Sequence, residues 1–218
     1  MAQRKVEFAV GEYYHVFNRG VDKRDIFSNK NDVQRFLQGM REFNCTDAIG
    51  SLYLNGRRED KKPSKQIVNI IAYCLNPNHF HFILEEMEDM GITRFMHRLS
   101  GGYTTYFNLL NKRSGSLFQG VFKAKHINSN EYLLHASAYV NLNNKVHKLS
   151  NLGENLVDSS WGQYVLGEQS KVPVDTDIIL SQFSNQNEYK IFANNALHDM
   201  VARKREIKYM EELLESED

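Results

Sequence analysis

The fold is decided by residues 66–86, which read QIVNIIAYCLNPNHFHFILEE. A buried strand is predicted over Gln66–Leu75, because apolar and β-branched residues run almost unbroken up to a turn signal. That signal is Asn76-Pro77-Asn78, whose residue types favour a tight reversal of the chain. A second strand is predicted over His79–Glu86, so the two strands should form an antiparallel pair.

Strands and helices alternate on either side of this pair. Upstream, side-chain alternation predicts a strand over Tyr13–Val21, and helical spacing of apolar residues predicts a helix over Asn31–Phe43. Downstream, the predicted elements are Ile92–Leu110 (helix), Val121–Ile127 (strand) and Asn130–Asn144 (helix). The order β-α-β-β-α-β-α predicts an α+β fold, a ferredoxin-like antiparallel sheet with helices packed on one face.

The chain is long enough for one core with an appendage. Its 218 residues are 41% hydrophobic and 25% charged, as in ordinary soluble globular proteins. We predict a first domain over residues 1–146 and a helical C-terminal extension over residues 147–218, whose last helix spans about Tyr189–Leu214. The polar stretch Asn55–Lys65 is predicted to be a loop between strands.

The sequence predicts a cytoplasmic protein without a membrane partner. The longest apolar stretch, Ile67–Leu75, contains Asn69 and is far too short to span a bilayer. No signal-peptide pattern precedes it. The two cysteines, Cys45 and Cys74, form neither a metal-binding nor a disulfide pattern.

Charge is segregated along the chain, although the formal net charge is zero. No Asp or Glu occurs between Gly91 and Asn130, and the basic residues of that stretch are Arg94, Arg98, Lys112, Arg113, Lys123 and Lys125. A segregated basic surface is typical of proteins that contact a phosphate backbone. These residues are therefore candidate nucleic-acid contacts, with a solvated basic face as the alternative.

Two histidines are predicted to share one face of the second strand. Phe80 separates His79 from His81, and alternate side chains of a strand point to the same face. Two imidazoles side by side are half of a metal site. Two surface histidines without a metal are the alternative for so short a motif.

A polar stripe runs along the helix predicted over Asn130–Asn144. At about 100° per residue, Tyr132, His135, Tyr139 and Asn143 fall on one face, opposite an apolar arc. Tyr139 and Asn143 are one turn apart, so a phenol and an amide oxygen could approach the two histidines together. The alternative is an amphipathic helix with a tyrosine at the rim of the core.

Four segments resemble the single-tyrosine HUH transposases, and among them the REP-associated tyrosine transposases. They are YHVFNRG (14–20), NHFHFI (78–83), SLFQGVFK (116–123) and YVNLN (139–143), in the order and spacing of that family. The resemblance covers roughly Val10–Val146. One departure concerns the end of the tyrosine helix, where family members often have Asn-Pro-Val and this chain has Asn144-Lys145-Val146.

The resemblance implies an enzyme that cuts and rejoins single-stranded or hairpin DNA. It implies that Tyr139 is the nucleophile and that His79, His81 and Asn143 hold a divalent metal, so that residues 1–146 are the catalytic domain. The expected reaction is transesterification through a 5′-phosphotyrosine link with a free 3′-OH. Because the set combines two nitrogens with one amide oxygen, Mg²⁺ or Mn²⁺ is the expected cofactor, ahead of zinc.

Three further residues are candidates for the same site. Arg19 on the first predicted strand joins the basic residues as a candidate DNA contact. His15 and His135 are candidate accessory residues, and structural roles are the alternative for each. The extension resembles that of the longer, REP-associated type, which favours a monomer over a homodimer.

Two other functions fit the same residues. One is a module on the same fold that binds structured nucleic acid without cutting it. The other is a metal-dependent phosphodiesterase that uses water as the nucleophile. The first differs from the transposase in that Tyr139 never becomes attached to DNA, and the second would still cleave after Tyr139→Phe.

Overall fold

A computed structural model of the chain describes residues 6–47, 49–50, 52, 64–146, 156–169 and 172–215, and side chains up to residue 203. The predicted loop Asn55–Lys65 therefore lies almost entirely outside the described residues. The described strands are β1 (Tyr13–Arg19), β2 (Val68–Asn76), β3 (His79–Glu86), β4 (Lys123–Ile127) and β5 (Asp158–Ser159). The described helices are α1 (Lys30–Glu42), α2 (Gly91–Leu110), α3 (Asn130–Asn141), α4 (Asn143–Val146), α5 (Trp161–Leu166), α6 (Asp177–Leu180) and α7 (Gln186–Glu215).

The strands form one antiparallel sheet in the order β4-β1-β3-β2-β5. The first four strands have the ferredoxin-like arrangement that the sequence predicts. The β2–β3 hairpin forms at the predicted turn, since Asn76 pairs with His79 across it. On the other side of β3, His79 pairs with Arg19 of β1, which places the end of β1 beside the start of β3.

Helices α1 and α2 cover one face of the sheet. The ring of Phe36 on α1 contacts Phe80 and Phe82 of β3, and Tyr103 of α2 makes an edge-to-face contact with Phe36 at 5.0 Å between ring centroids. Burying each such ring contributes about 1.5–3 kcal/mol. At the start of α1, the side chain of Asn29 accepts hydrogen bonds from two backbone N–H groups and so caps the helix.

Helix α3 and the C-terminal helices cover the opposite face, so the helices pack on both faces and not on one as the sequence predicted. The cause is the strand period of two, which points alternate apolar side chains, such as Cys74 and Ile83, away from α1 and α2. These side chains are buried only if other helices pack on the second face of the sheet. Tyr189 of α7 supplies part of that cover, and its hydroxyl lies 3.1 Å from Ser137 Oγ and 3.0 Å from Asn141 Nδ2 of α3.

The helix predicted over Asn130–Asn144 is broken. The Ser129 side chain caps the start of α3, but the helix ends at Asn141 and the backbone leaves helical geometry at Leu142, with φ −109° and ψ 17°. A separate turn, α4, begins at Asn143. In the described part of the chain, no helix is both long and apolar enough to cross a membrane.

Candidate active site

The two histidines of β3 lie on the face that α3 covers. The rings of His79 and His81 are nearly perpendicular, with centroids 5.2 Å apart. His81 is buried and His79 is half-buried. The strand period therefore brings the pair together as the sequence predicts.

Asn143 lies against this pair because β2 holds it there. Its Oδ1 is 2.9 Å from His79 Nε2 and accepts a hydrogen bond of 2.9 Å from Asn76 Nδ2. Asn76 is the last residue of β2, and its Nδ2 is also 3.0 Å from His79 Nε2. Both asparagine side chains are fully buried, so the sheet fixes the position of the Asn143 oxygen.

The hydrogen bonds around His79 determine which of its nitrogens carries the proton. Asn78 Nδ2 donates to the carbonyl of Lys23, which turns Asn78 Oδ1 toward His79 Nδ1 at 2.6 Å. Since a carbonyl oxygen only accepts, Nδ1 carries the proton, and the neutral ring has its lone pair on Nε2. His79 Nε2 and Asn143 Oδ1 are then two acceptors 2.9 Å apart, and both lie within hydrogen-bond distance of Asn76 Nδ2.

This donor set fits a divalent metal. Cis ligands of an octahedral ion with bonds of about 2.0–2.1 Å lie about 3 Å apart, close to the observed separation of His79 Nε2 and Asn143 Oδ1. Within the described ranges, no three His, Cys, Asp or Glu side chains cluster as metal ligands, so an amide oxygen is needed to complete the set.

Tyr139 lies beside the same histidines. Its ring makes edge contacts with His81 and His15, at centroid distances of 5.5 and 5.8 Å. Burial raises the pKa of the Tyr139 phenol, and a hydrogen bond with the Asn143 side chain partly opposes that rise. The phenol is therefore protonated at neutral pH.

The two accessory candidates occupy different positions. His15 is buried against His81, and burial together with the nearby Lys125 cation lowers the pKa of His15 to about 4. It is therefore neutral at physiological pH. His135 packs on the ring of Phe192 of α7, with centroids 5.2 Å apart.

A cleft of about 450 Å³ opens in front of these residues. Tyr139, His79 and His81 form one wall of it, and basic and amide side chains form much of the remainder: Arg19, Lys23, Lys123, Asn78 and Gln119. The guanidinium of Arg19 donates to the Gln119 side chain, which joins the end of β1 to the segment before β4. The cleft therefore brings together a phenol, two imidazoles and cations suited to phosphate.

Known proteins resemble this chain in sequence over one segment and in fold over most of its length. Residues 60–143 match the family model described as "Transposase IS200 like". This part of the chain is similar to IS200-like transposases. The solved structure of a REP-associated tyrosine transposase bound to a REP hairpin is also similar, with a TM-score of 0.51 and 13% sequence identity over 81% of this chain and 93% of that one. No curated protein matches the chain.

The match confirms the predicted resemblance to single-tyrosine transposases, and the solved structure confirms the fold. The matched segment contains His79, His81, Tyr139 and Asn143.

The basic residues predicted to contact nucleic acid are not all in one place. Arg19 and Lys123 lie in the cleft, and Lys125 lies one strand period further along β4. At the far end of the sheet, Arg94 pairs with Glu88 at 2.6 Å and Arg98 donates to the Cys45 carbonyl at 2.6 Å. The other two basic residues follow α2 and line neither end: Lys112 lies in the turn after the helix, and Arg113 donates to the Ser116 carbonyl.

Three residues of this candidate site were not predicted from the sequence. Asn76 and Asn78 have residue types that indicate a turn, and only the folded hairpin shows that they also orient Asn143 and His79. Lys23 lies in a short turn after β1 with a left-handed φ of 58°, and no periodic pattern places it in the cleft.

Proposed function

We propose that this protein is a metal-dependent DNA nuclease and strand transferase with Tyr139 as its nucleophile. The observation that supports this proposal is that Tyr139, His79 and His81 line one basic cleft, while the buried Asn143 side chain lies against His79. A phosphodiester in that cleft would meet a phenol, a metal-binding set and two lysines together. The relation to IS200-like transposases supports the same class of reaction.

The metal would be held by His79 Nε2, His81 and Asn143 Oδ1, with Mg²⁺ or Mn²⁺ as the ion that suits these atoms. When bound, such an ion polarises the phosphate and stabilises the negative charge that develops on its oxygens. The protein contributes a prepared site, because Asn76 and Asn78 fix the orientation of the two ligands that they contact.

The covalent step is a transesterification. The Tyr139 oxygen forms a bond to phosphorus while the bond from phosphorus to the 3′ oxygen breaks, which leaves a 5′-phosphotyrosine and a free 3′-OH. The phenol loses its proton and the leaving oxygen gains one, so the step consumes no proton overall. Because the ester conserves the energy of the broken bond, a second 3′-OH can reverse the step and join a different strand without ATP.

We propose single-stranded or hairpin DNA as the substrate. Arg19, Lys23 and Lys123 suit the spaced phosphates of one strand, and a single strand can bend into a cleft beside a sheet more easily than a continuous duplex. The similar solved structure is bound to a REP hairpin, which supports a structured strand as substrate for this chain as well.

The test is a denaturing gel of labelled single-stranded and hairpin oligonucleotides mixed with protein and either Mg²⁺ or Mn²⁺. We expect a covalent protein–DNA band with the wild type and none with Tyr139→Phe. The control is Tyr106→Phe, which removes a phenol hydroxyl that contacts Asp32 on the opposite face of the sheet and should leave the band unchanged.

The two other candidate functions give different gels. Cleavage that persists in Tyr139→Phe would replace the proposal with a phosphodiesterase that uses water. Binding without any cleavage across the oligonucleotides would replace it with a module that recognises DNA without cutting.

A further inference from the structure

A second cavity, of about 350 Å³, adjoins the cleft on the other side of Tyr139. Phe17, His81 and Tyr139 line both spaces, so these three side chains separate them. Tyr132 of α3 and Met200 of α7 line only the second cavity. A strand whose phosphate lies at Tyr139 would therefore have a different environment on each side of that phosphate.

The two spaces differ in chemistry. The cleft presents three cations and several amides, as phosphates require. The second cavity presents the rings of Phe17, Tyr132 and His135 together with the thioether of Met200, and its cation is Lys125. Aromatic and thioether surfaces favour a flat, weakly polar group.

We infer that the second cavity is a subsite for one unpaired nucleobase next to the phosphate that Tyr139 attacks. This inference rests on the proposed function for the chemistry at Tyr139, but base binding in the cavity does not itself require cleavage. Among the parts of a DNA strand, only the base has a flat π-face that stacks on aromatic rings, and this holds for all four bases. The Lys125 ammonium is placed for a phosphate of the same nucleotide.

The subsite gives the C-terminal extension a role in substrate binding. Met200 belongs to α7, which reaches the cavity because Tyr189 fixes the helix to α3 through Ser137 and Asn141. Phe192, one turn later, packs on the ring of His135, which lines the cavity. The nucleotide next to the cleavage point is thus held between the sheet, α3 and the extension.

The test measures binding without cleavage. The protein carries Tyr139→Phe and is kept in metal-free buffer, and the probes are a short oligothymidine and an abasic strand with the same number of phosphates. Adding Tyr132→Ala should weaken binding of the oligothymidine roughly 5- to 100-fold, because a base–aromatic stack is lost, and should leave the abasic strand unaffected. Met200→Ala should act in the same direction, more weakly.

The control for the methionine is Met87→Ala, a half-exposed residue beyond the end of β3 and far from the cavity, which should change neither affinity. Melting temperatures of all variants verify that the fold is intact. A direct readout is photocrosslinking of an oligothymidine with one thiothymidine, followed by mass spectrometry of the peptides. We expect one position to crosslink to a peptide that contains Tyr132 or Met200.

The inference is overturned if Tyr132→Ala weakens the two strands equally, since the contact would then be to the backbone, or if every crosslink maps outside the cavity. It is also overturned if the wild-type cavity binds both strands equally well. In that case, a covalent band on the cleavage gel would show that the proposed function holds without the subsite. Failure of both strands to bind would count against the function and the subsite together.

Discussion

The Nε2 atom of His15 lies 2.9 Å from the Nδ1 atom of His81, and both side chains are buried. His15 pairs with Ile83 across β1 and β3, so the contact is a diagonal one within the sheet. If His81 binds a metal through Nε2, its Nδ1 must carry the proton and donate it to His15 Nε2. His15 would then fix the tautomer and the orientation of the proposed ligand.

Replacing His15 by Leu should therefore weaken metal binding. Loss of an outer partner of a histidine ligand typically lowers metal affinity about 10- to 100-fold. The measurement is Mn²⁺ titration followed by electron paramagnetic resonance or calorimetry, without DNA. The control is His97→Leu, which makes the same substitution at an exposed position of α2 on the other face of the sheet. Equal Mn²⁺ affinity of His15→Leu and wild type would show that His81 does not depend on this contact.

Asn143 allows a sharper test of the ligand set. Asn143→Ala should abolish most Mn²⁺ binding and also lower stability by about 1–3 kcal/mol, because Asn76 Nδ2 loses a buried acceptor. Asn143→Asp keeps an oxygen at the same place and should retain binding, since hard cations favour carboxylates. Asn144→Ala, one residue later and only half-buried, is the matched control in both titration and thermal melting. Metal binding by Asn143→Ala at wild-type affinity would remove Asn143 from the set.

The sequence predicts local features of this site well. Each strand of the hairpin carries its own signals, and the period of two alone places His79 and His81 on one face. The sequence also predicts that Asn143 lies near Tyr139 because the two residues are one helical turn apart, and this reason is only partly correct. The helix that contains Tyr139 ends at Asn141, before it reaches Asn143. The position of the Asn143 side chain is fixed by a hydrogen bond from Asn76 at the end of β2.

Features that depend on long-range packing could not be predicted in the same way. Arg98 and Lys123 belong to one acid-free stretch, yet the fold sends Arg98 to the Cys45 carbonyl and Lys123 to the cleft. Helix α7 carries many charges, so its sequence does not show that Tyr189 is fully buried against α3. Both outcomes are decided by which elements the topology makes neighbours.

The basic residues inside the cleft should contribute to DNA binding, and those at the far end of the sheet should not. Reversing Arg19 and Lys123 to Glu should weaken binding strongly and lower the slope of log affinity against log salt by about one for each lost phosphate contact. Reversing Arg98 should leave that slope unchanged, because its guanidinium is committed to the Cys45 carbonyl at the far end of the sheet. The measurement is fluorescence anisotropy of a labelled hairpin over a salt series. A similar loss of slope in both groups would place the DNA across the whole basic stretch.

The phenol of Tyr189 makes stability depend on alkaline pH. Burial raises the pKa of Tyr189 to about 12, and hydrogen bonds with Ser137 and Asn141 oppose that rise. Because the pKa of Tyr189 in the folded protein lies above the ordinary value near 10, the stabilising contribution of the protonated phenol is complete below about pH 10 and is lost as the pH rises through 12.

Urea denaturation between pH 8 and pH 11 should therefore show falling stability in the wild type. Tyr189→Phe should be less stable at pH 8 by about 1–3 kcal/mol, since two polar partners lose their hydrogen bonds, and should fall less steeply above pH 10. Parallel curves for the two proteins would mean that the ionisation of other groups, and not of Tyr189, controls alkaline unfolding.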